Sequence, residues 1–139
     1  MVMRVKKDVG IPFSTLVHPL FQQAFLELSN SDNITISTSY ELLKISEAVF
    51  KAVSQYTKLR DKIISNHAEK DESGLPKLTE DKTSYVIAKD KRESFLKNLD
   101  ILEGVKVKIP RISMSLVKDA NLSVLKLKTL IGTVIDPSK

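Results

Sequence analysis

The chain has 139 residues, 42% of them apolar and 28% charged, with a formal net charge of +5 and no cysteine. That length suits one domain with a conventional core, and the mix of apolar and charged residues excludes a chain disordered throughout. Lack of cysteine removes disulfides, thiolate catalysis and sulfur-held zinc together, which fits a reducing cytosol or a particle assembled there.

Met1 to Asp8 carry no apolar run long enough for a signal peptide, and no later stretch approaches a membrane span, so neither export by that route nor a membrane partner is expected. The sequons Asn33-Ile34-Thr35 and Asn121-Leu122-Ser123 are then chance matches. Residues 2–9 read as a short strand or arm ended by Gly10-Ile11-Pro12, with residues 1–13 as a candidate N-terminal arm of a single domain spanning 1–139. A first helix is expected to start at His18 or Pro19, where proline suits the first turn. It runs through Leu20, Phe21, Ala24, Phe25 and Leu28 to the turn-forming run Ser29 to Asn33. Ile34 and Ile36 alternate with Thr35 and Ser37 in a stub of strand.

The strongest periodicity follows. Thr38 and Glu41 have the spacing of a capping box, and no Gly or Pro interrupts the chain until Gly74. Leu42, Ile45, Val49, Ala52, Tyr56, Leu59 and Ile63 succeed one another at three- and four-residue steps, predicting one long amphipathic helix from about Thr38 to His67. Phe50, Val53 and Ile64 widen its apolar seam, which favours packing within a domain over a free zipper. The shorter helices expected at 19–28 and 90–103 cover most but not all of this helix, so its seam is read chiefly as core, with the helix end the part exposed for a neighbour as the alternative; a homo-oligomer is among the candidate partners.

Residues 68–83, centred on Asp71-Glu72-Ser73-Gly74-Leu75-Pro76, read as an exposed turn. Tyr85 to Ile87 suit a short strand, Asp90 with Glu93 a second capped helix through Phe95, Leu96, Leu99 and Leu102, and Gly104 its C-terminal glycine. Val105, Val107 and Ile109 alternate with Lys106 and Lys108 before Pro110, as in an edge strand with one dry face. The last segment carries both periods. Leu125 to Lys128 alternate as in a strand, but Val124, Leu127, Ile131 and Val134 keep helical spacing, and helix is the reading adopted. The fold class expected is α+β: one long amphipathic helix packed with two or three shorter helices and a small, mostly antiparallel sheet.

No catalytic, cofactor-binding or metal-binding residues can be nominated. His18 and His67 lie on different elements without a second ligand at metal-binding spacing, and no Ser, His and acid set stands out. The four glycines, at 10, 74, 104 and 132, form no phosphate-binding motif. Glu69, Asp71, Ser73, Gly74 and Glu80 match positions of a calcium loop, but Pro76 follows the turn and no clear helix succeeds it, so a polar hairpin is expected instead.

Charge is uneven along the chain. Residues 71–103 hold six basic and eight acidic side chains, whereas residues 104–139 hold seven basic and two acidic ones. With no aromatic residue here to stack on a base, the plainer reading is lysine on the wet faces of surface elements; if the quarter does meet a partner, Lys106, Lys108, Arg111, Lys126 and Lys128 are the candidate contacts, for an acidic protein or a phosphate, with nucleic acid not favoured.

Tyr40 to Ile64, Glu69 to Pro76, Phe95 to Leu102, Val105 to Ile112 and Leu122 to Ile131 together resemble a family of small tailed-bacteriophage proteins of unknown function. That family shares a layout of long helix, charged turn, Leu-ending helix, Val-rich strand and Leu-rich tail. The resemblance implies a non-enzymatic phage product acting by protein contact in the host cytoplasm or the virion. Its partners would be other phage structural proteins or a host protein. A modulator of a host enzyme or nucleic-acid machine is the other reading.

Overall fold

A computed structural model describes residues 8–138. The chain is α+β: β1 (Asp8–Pro12), α1 (Phe13–Leu16), α2 (Pro19–Ser29), α3 (Ile36–His67), a 3-10 turn (Lys89–Lys91), α4 (Arg92–Gly104), β2 (Lys106–Pro110), β3 (Ile112–Ser113), α5 (Met114–Val117), α6 (Val124–Leu130) and β4 (Ile135–Asp136). These elements fall into two compact units, Met1–Val53 with Lys106–Lys139, and Ser54–Val105; α3 begins in the first and ends in the second.

In the first unit β1 and β2 form an antiparallel ribbon in which Ile11 lies opposite Val107 and Val9 opposite Ile109. The expected arm is corrected here. Gly10, Ile11 and Pro12 lie inside a strand instead of ending one, because Ile11 and Phe13 are buried; residues 1–7 lie outside the described residues. Pro12 and Pro110 occupy opposite ends of the ribbon, where a missing N–H disturbs the ladder least. A Cβ on Gly10 would stand 3.3 Å from the Cβ of Lys106, so glycine leaves room for the lysine stem to lie across the ribbon.

The first helix begins as its sequence predicts. Pro19 opens α2, and the His18 ring accepts the Leu20 N–H at 3.1 Å. Phe21, Ala24, Phe25 and Leu28 are buried, the two phenyl rings stacking with centroids 6.2 Å apart. Helix α6 packs on α2, and its own start is capped by the Ser123 hydroxyl, which accepts the Lys126 N–H at 3.3 Å. A second two-stranded sheet was not foreseen: β3 and β4 are parallel, with Ile112 opposite Ile135, and both isoleucines are buried.

Helix α3 starts at Ile36, so neither the strand stub at 34–37 nor a cap at Thr38 forms. The Thr35 hydroxyl accepts the Thr38 N–H at 3.1 Å and caps the helix one turn earlier. Glu41, expected to complete a capping box, pairs instead with Lys44 at 3.3 Å. Leu42, Ile45, Val49 and Ala52 are buried as the seam predicts, but Phe50 does not widen it, being 76% exposed.

In the second unit the seam residue Tyr56 is buried, Leu59 is 44% exposed and Ile63 half-buried. Residues 68–88 are held by backbone hydrogen bonds among three short extended pieces. Glu69 N–H donates to Val86 O, Lys77 N–H to Glu69 O and Val86 N–H to Lys77 O. The strand expected at 85–87 is reduced to isolated bridges, Leu78 with Tyr85 and Ala68 with Ile87. Helix α4 follows the 3-10 turn without a side-chain cap, so the box expected from Asp90 and Glu93 does not form. Gly104 stays within α4 and Val105 takes the C-cap position in an extended conformation, so the glycine's left-handed freedom goes unused.

Candidate protein-contact surfaces

The five basic residues nominated as partner contacts occupy three settings. Lys106 and Lys108 are exposed on β2 while Ile109 is fully buried and Val107 half-buried, so the strand has a wet and a dry face as its alternation predicts, but Val105, expected on the dry face, is 43% exposed and lies before the strand at the end of α4. Among the described residues β2 pairs only with β1, which leaves its second edge without a strand. Arg111, half-buried, reaches toward the Ile135 carbonyl at 3.4 Å, and its Nε is buried without a hydrogen-bond partner. Lys126 is engaged: its ammonium sits 2.5 Å from the Glu27 carboxylate of α2, tying α6 to α2. Lys128, on the same helix, is exposed. The open pair is therefore Lys106 and Lys108.

A second surface of the first unit is not anticipated by the sequence: Ile36 reads as part of a strand stub and Phe50 as part of the seam, while Tyr40 and Leu43 have neither reading. Ile36, Tyr40, Leu43 and Phe50 are 87%, 59%, 54% and 76% exposed, on the side of α3 away from Leu42, Ile45 and Ala52. Beside Phe50 runs a groove of about 310 Å³ between α2 and α3, lined by Phe21, Phe25, Leu26, Val49, Phe50 and Val53. Ser29, at its wall, has a buried hydroxyl oxygen without a hydrogen-bond partner. A helix facing water on this side should be polar there, so an apolar stripe opposite the core seam is surplus to folding.

The second unit brings together residues that sequence spacing could not pair. The His67 ring lies between α3 and α4, with Nδ1 2.7 Å from the Ile63 carbonyl and Nε2 3.1 Å from the Ser94 hydroxyl. Asn98 stands 3.4 Å from the same Nε2, and the Phe95 ring is tilted against the imidazole. Sequence predicted a histidine near a helix end; what it does there is clasp the last turn of α3 to α4. Tyr56 is held protonated above its ordinary range by burial first, and then by the Glu103 carboxylate, which accepts its hydroxyl hydrogen.

In the turn, the Asp71 carboxylate accepts the Ser73 and Leu75 N–H groups at 2.9 and 3.0 Å, and Gly74 adopts a φ of +79°. One oxygen of the Asp71 carboxylate is thus engaged within the turn. Asp81 accepts from the Thr79 hydroxyl at 2.6 Å, and hydrogen bonds from Thr79 and Thr83 lower its pKa. A shallow pocket of about 370 Å³ lies between this loop and α4, lined by Tyr85, Val86, Ile87, Arg92, Phe95 and Leu96. Among the described residues no three of His, Asp or Glu gather as metal ligands, and no helix is long and apolar enough to cross a membrane.

Comparisons with protein families, with curated proteins and with solved structures find no match to this chain.

Proposed function

We propose that this chain is a bacteriophage protein that works by contact with other proteins and not by catalysis, as a minor virion or assembly component. Its phage origin is supported by the sequence resemblance alone. The contact reading is carried by one observation: β2 presents Lys106 and Lys108 to solvent along a ribbon whose second edge pairs with no strand among the described residues. Such an edge accepts a further strand through its free N–H and C=O groups, and two lysines select acidic side chains on the incoming segment. Lysines also keep the edge from pairing with itself, so the same residues guard the surface until the right partner arrives.

Replacing both lysines by glutamate tests this. The fold should keep its melting temperature, since exposed charges contribute little to stability. Incorporation into particles, or recovery of a phage or host partner, should fall sharply at low salt. The difference from wild type should shrink as salt rises, because screening removes the attraction that was reversed. Equal association at both salt concentrations would reduce the lysines to edge protection. Absence of the wild-type chain from purified particles would sink the virion reading and leave a host-directed modulator.

A further inference from the structure

We infer that the second unit takes the C-terminal end of another protein as an added strand, in the groove between residues 85–87 and α4, on observations separate from those at β2. Residues 84–88 spend their backbone on one side. The Ser84 carbonyl accepts the Thr79 N–H, Val86 donates to the Lys77 carbonyl and accepts the Glu69 N–H, and the Ala88 N–H donates to the His67 carbonyl. Between these lie Tyr85 and Ile87, whose N–H and C=O groups face the opposite edge and have no hydrogen-bond partner among the described residues. An extended piece with one edge paired and the other free is a template for a further strand. The pocket of about 370 Å³ runs along that free edge. Successive side chains of an extended chain point to opposite faces, yet Tyr85, Val86 and Ile87 all line the pocket, together with Arg92, Phe95 and Leu96 across from them. It therefore lies beside the backbone, between the extended piece and the helix.

The lining states what the guest strand carries. Tyr85 and Leu96 are 44% and 57% exposed, and with the half-buried Ile87 and Phe95 they form a bed for one apolar side chain. Arg92 is the one charged residue lining the pocket among those described, and although Asp90 and Glu93 flank it in the chain it forms no ion pair with any described residue. Its planar fork suits a carboxylate. Position decides which carboxylate. Residues 88–91 join the extended piece directly to α4 and close the groove at the end where Arg92 opens the helix. A strand entering from the other end stops there, so the carboxylate at Arg92 is a chain terminus and the guest runs in the same direction as residues 85–87. In that parallel register the guest residue opposite Val86 donates its N–H to the Tyr85 carbonyl and accepts the Ile87 N–H. A small amphiphilic acid would meet Arg92 and the apolar bed but leave the backbone edge unused.

A library of random heptapeptides with free C-termini, screened against the full chain, supplies the probe. Enriched peptides should share an apolar residue among their last three positions, and one of them, labelled at its N-terminus, should bind in a fluorescence-anisotropy titration. Amidating its C-terminus should weaken binding at least tenfold. Arg92→Gln should do the same at an unchanged melting temperature, since the residue is exposed. Bound peptide should shift the amide resonances of Tyr85 and Ile87, the two that gain partners. Replacing Lys106 and Lys108 by glutamate should leave peptide affinity as in wild type, so that failure of the contact reading at β2 is told apart from failure here. No enrichment from the library, equal binding of the amidated peptide, or equal binding to Arg92→Gln would overturn the inference.

Discussion

The two units use the same long helix to different ends. In the first, α3 contributes Leu42, Ile45, Val49 and Ala52 to a core that also holds Phe21, Leu28, Ile109, Leu130 and Ile135. In the second, Tyr56, Ala68 and Leu102 are the only apolar residues buried among those described, while Leu59 and Ile63 carry the seam onward half-covered or exposed. The periodicity does not change along the helix; what changes is whether other elements supply a surface to meet it. Amphipathic spacing therefore tells which side chains share a face, and burial must be argued from what lies opposite. Hydrogen bonding differs in parallel. The second unit leans on polar ties, such as the His67 clasp and the crossed backbone bonds of residues 68–88, where the first leans on apolar volume.

The widest separation between the units should come from a charge placed on the seam. Ile45→Asp buries an unpaired carboxylate in the first unit and should cost about 3–5 kcal/mol, enough to unfold a domain of ordinary stability. Ile63→Asp, at a half-buried site of the same seam, should cost about 1 kcal/mol. Thermal melts of the two variants decide it, and equal losses would mean that the second half of α3 is as dry as the first.

Native-state hydrogen exchange should show the same contrast without mutation. Amides of α2 and of α3 before Val53 should exchange at least tenfold more slowly than those of α4, since local opening is easiest where little apolar surface is buried. Uniform protection across α3 and α4 would erase the distinction between the units.

Much of this fold is legible from residue spacing. Helix α2 with its His18-Pro19 start, the buried half of the α3 seam and the Ile109 face of β2 follow from local rules that three-dimensional context did not override. Failures came where two local devices competed or where pairing was long-range. Thr35 and Thr38 both offer a hydroxyl to a helix start, and the earlier one caps it: Thr38 is buried inside the helix, its N–H donating to the Thr35 hydroxyl and its own hydroxyl accepting the Thr35 hydroxyl hydrogen at 3.0 Å. The parallel pairing of β3 with β4 joins residues more than twenty positions apart through two-residue strands too short to show a period. For the contact surfaces, Lys106 and Lys108 could be named in advance, but Lys126 could not be seen to be occupied by Glu27, nor could the stripe from Ile36 to Phe50 be told from core. Sequence marks a residue as charged or apolar; the fold decides whether it is already satisfied.

A smaller effect is expected at Tyr56, whose hydroxyl joins α3 to Glu103 of α4 in the second unit. Its pKa is raised, so the folded state keeps the phenol proton to higher pH than the unfolded chain does. The stability this contributes is fully present below the unfolded value of about 10 and is lost as pH rises through the raised folded value. Tyr56→Phe removes the bond to Glu103 and should cost about 1 kcal/mol at neutral pH, while flattening the decline above about pH 10. Chemical denaturation at neutral and alkaline pH measures both. An unchanged alkaline slope would assign that decline to other groups.

The smallest effect sharpens the comparison from the loop side. Lys82 has a φ of +59°, the one described non-glycine residue in the left-handed region, and its N–H closes a turn onto the Thr79 carbonyl at 2.9 Å. A side chain there costs about 1 kcal/mol relative to an unstrained position, and glycine would relieve it while adding freedom to the unfolded chain. Because Lys82 is exposed and its side chain takes part in no ion pair among the described residues, the relief should win narrowly. Lys82→Gly should raise stability by about 0.5 kcal/mol, read as a small upward shift of the denaturation midpoint with unchanged slope. The gain should appear only in probes of the second unit, such as the near-ultraviolet signal of Tyr85, if the two units open independently. An equal shift in probes of α2 would show that they unfold as one cooperative body, and the difference in burial between them would then describe packing without dividing stability.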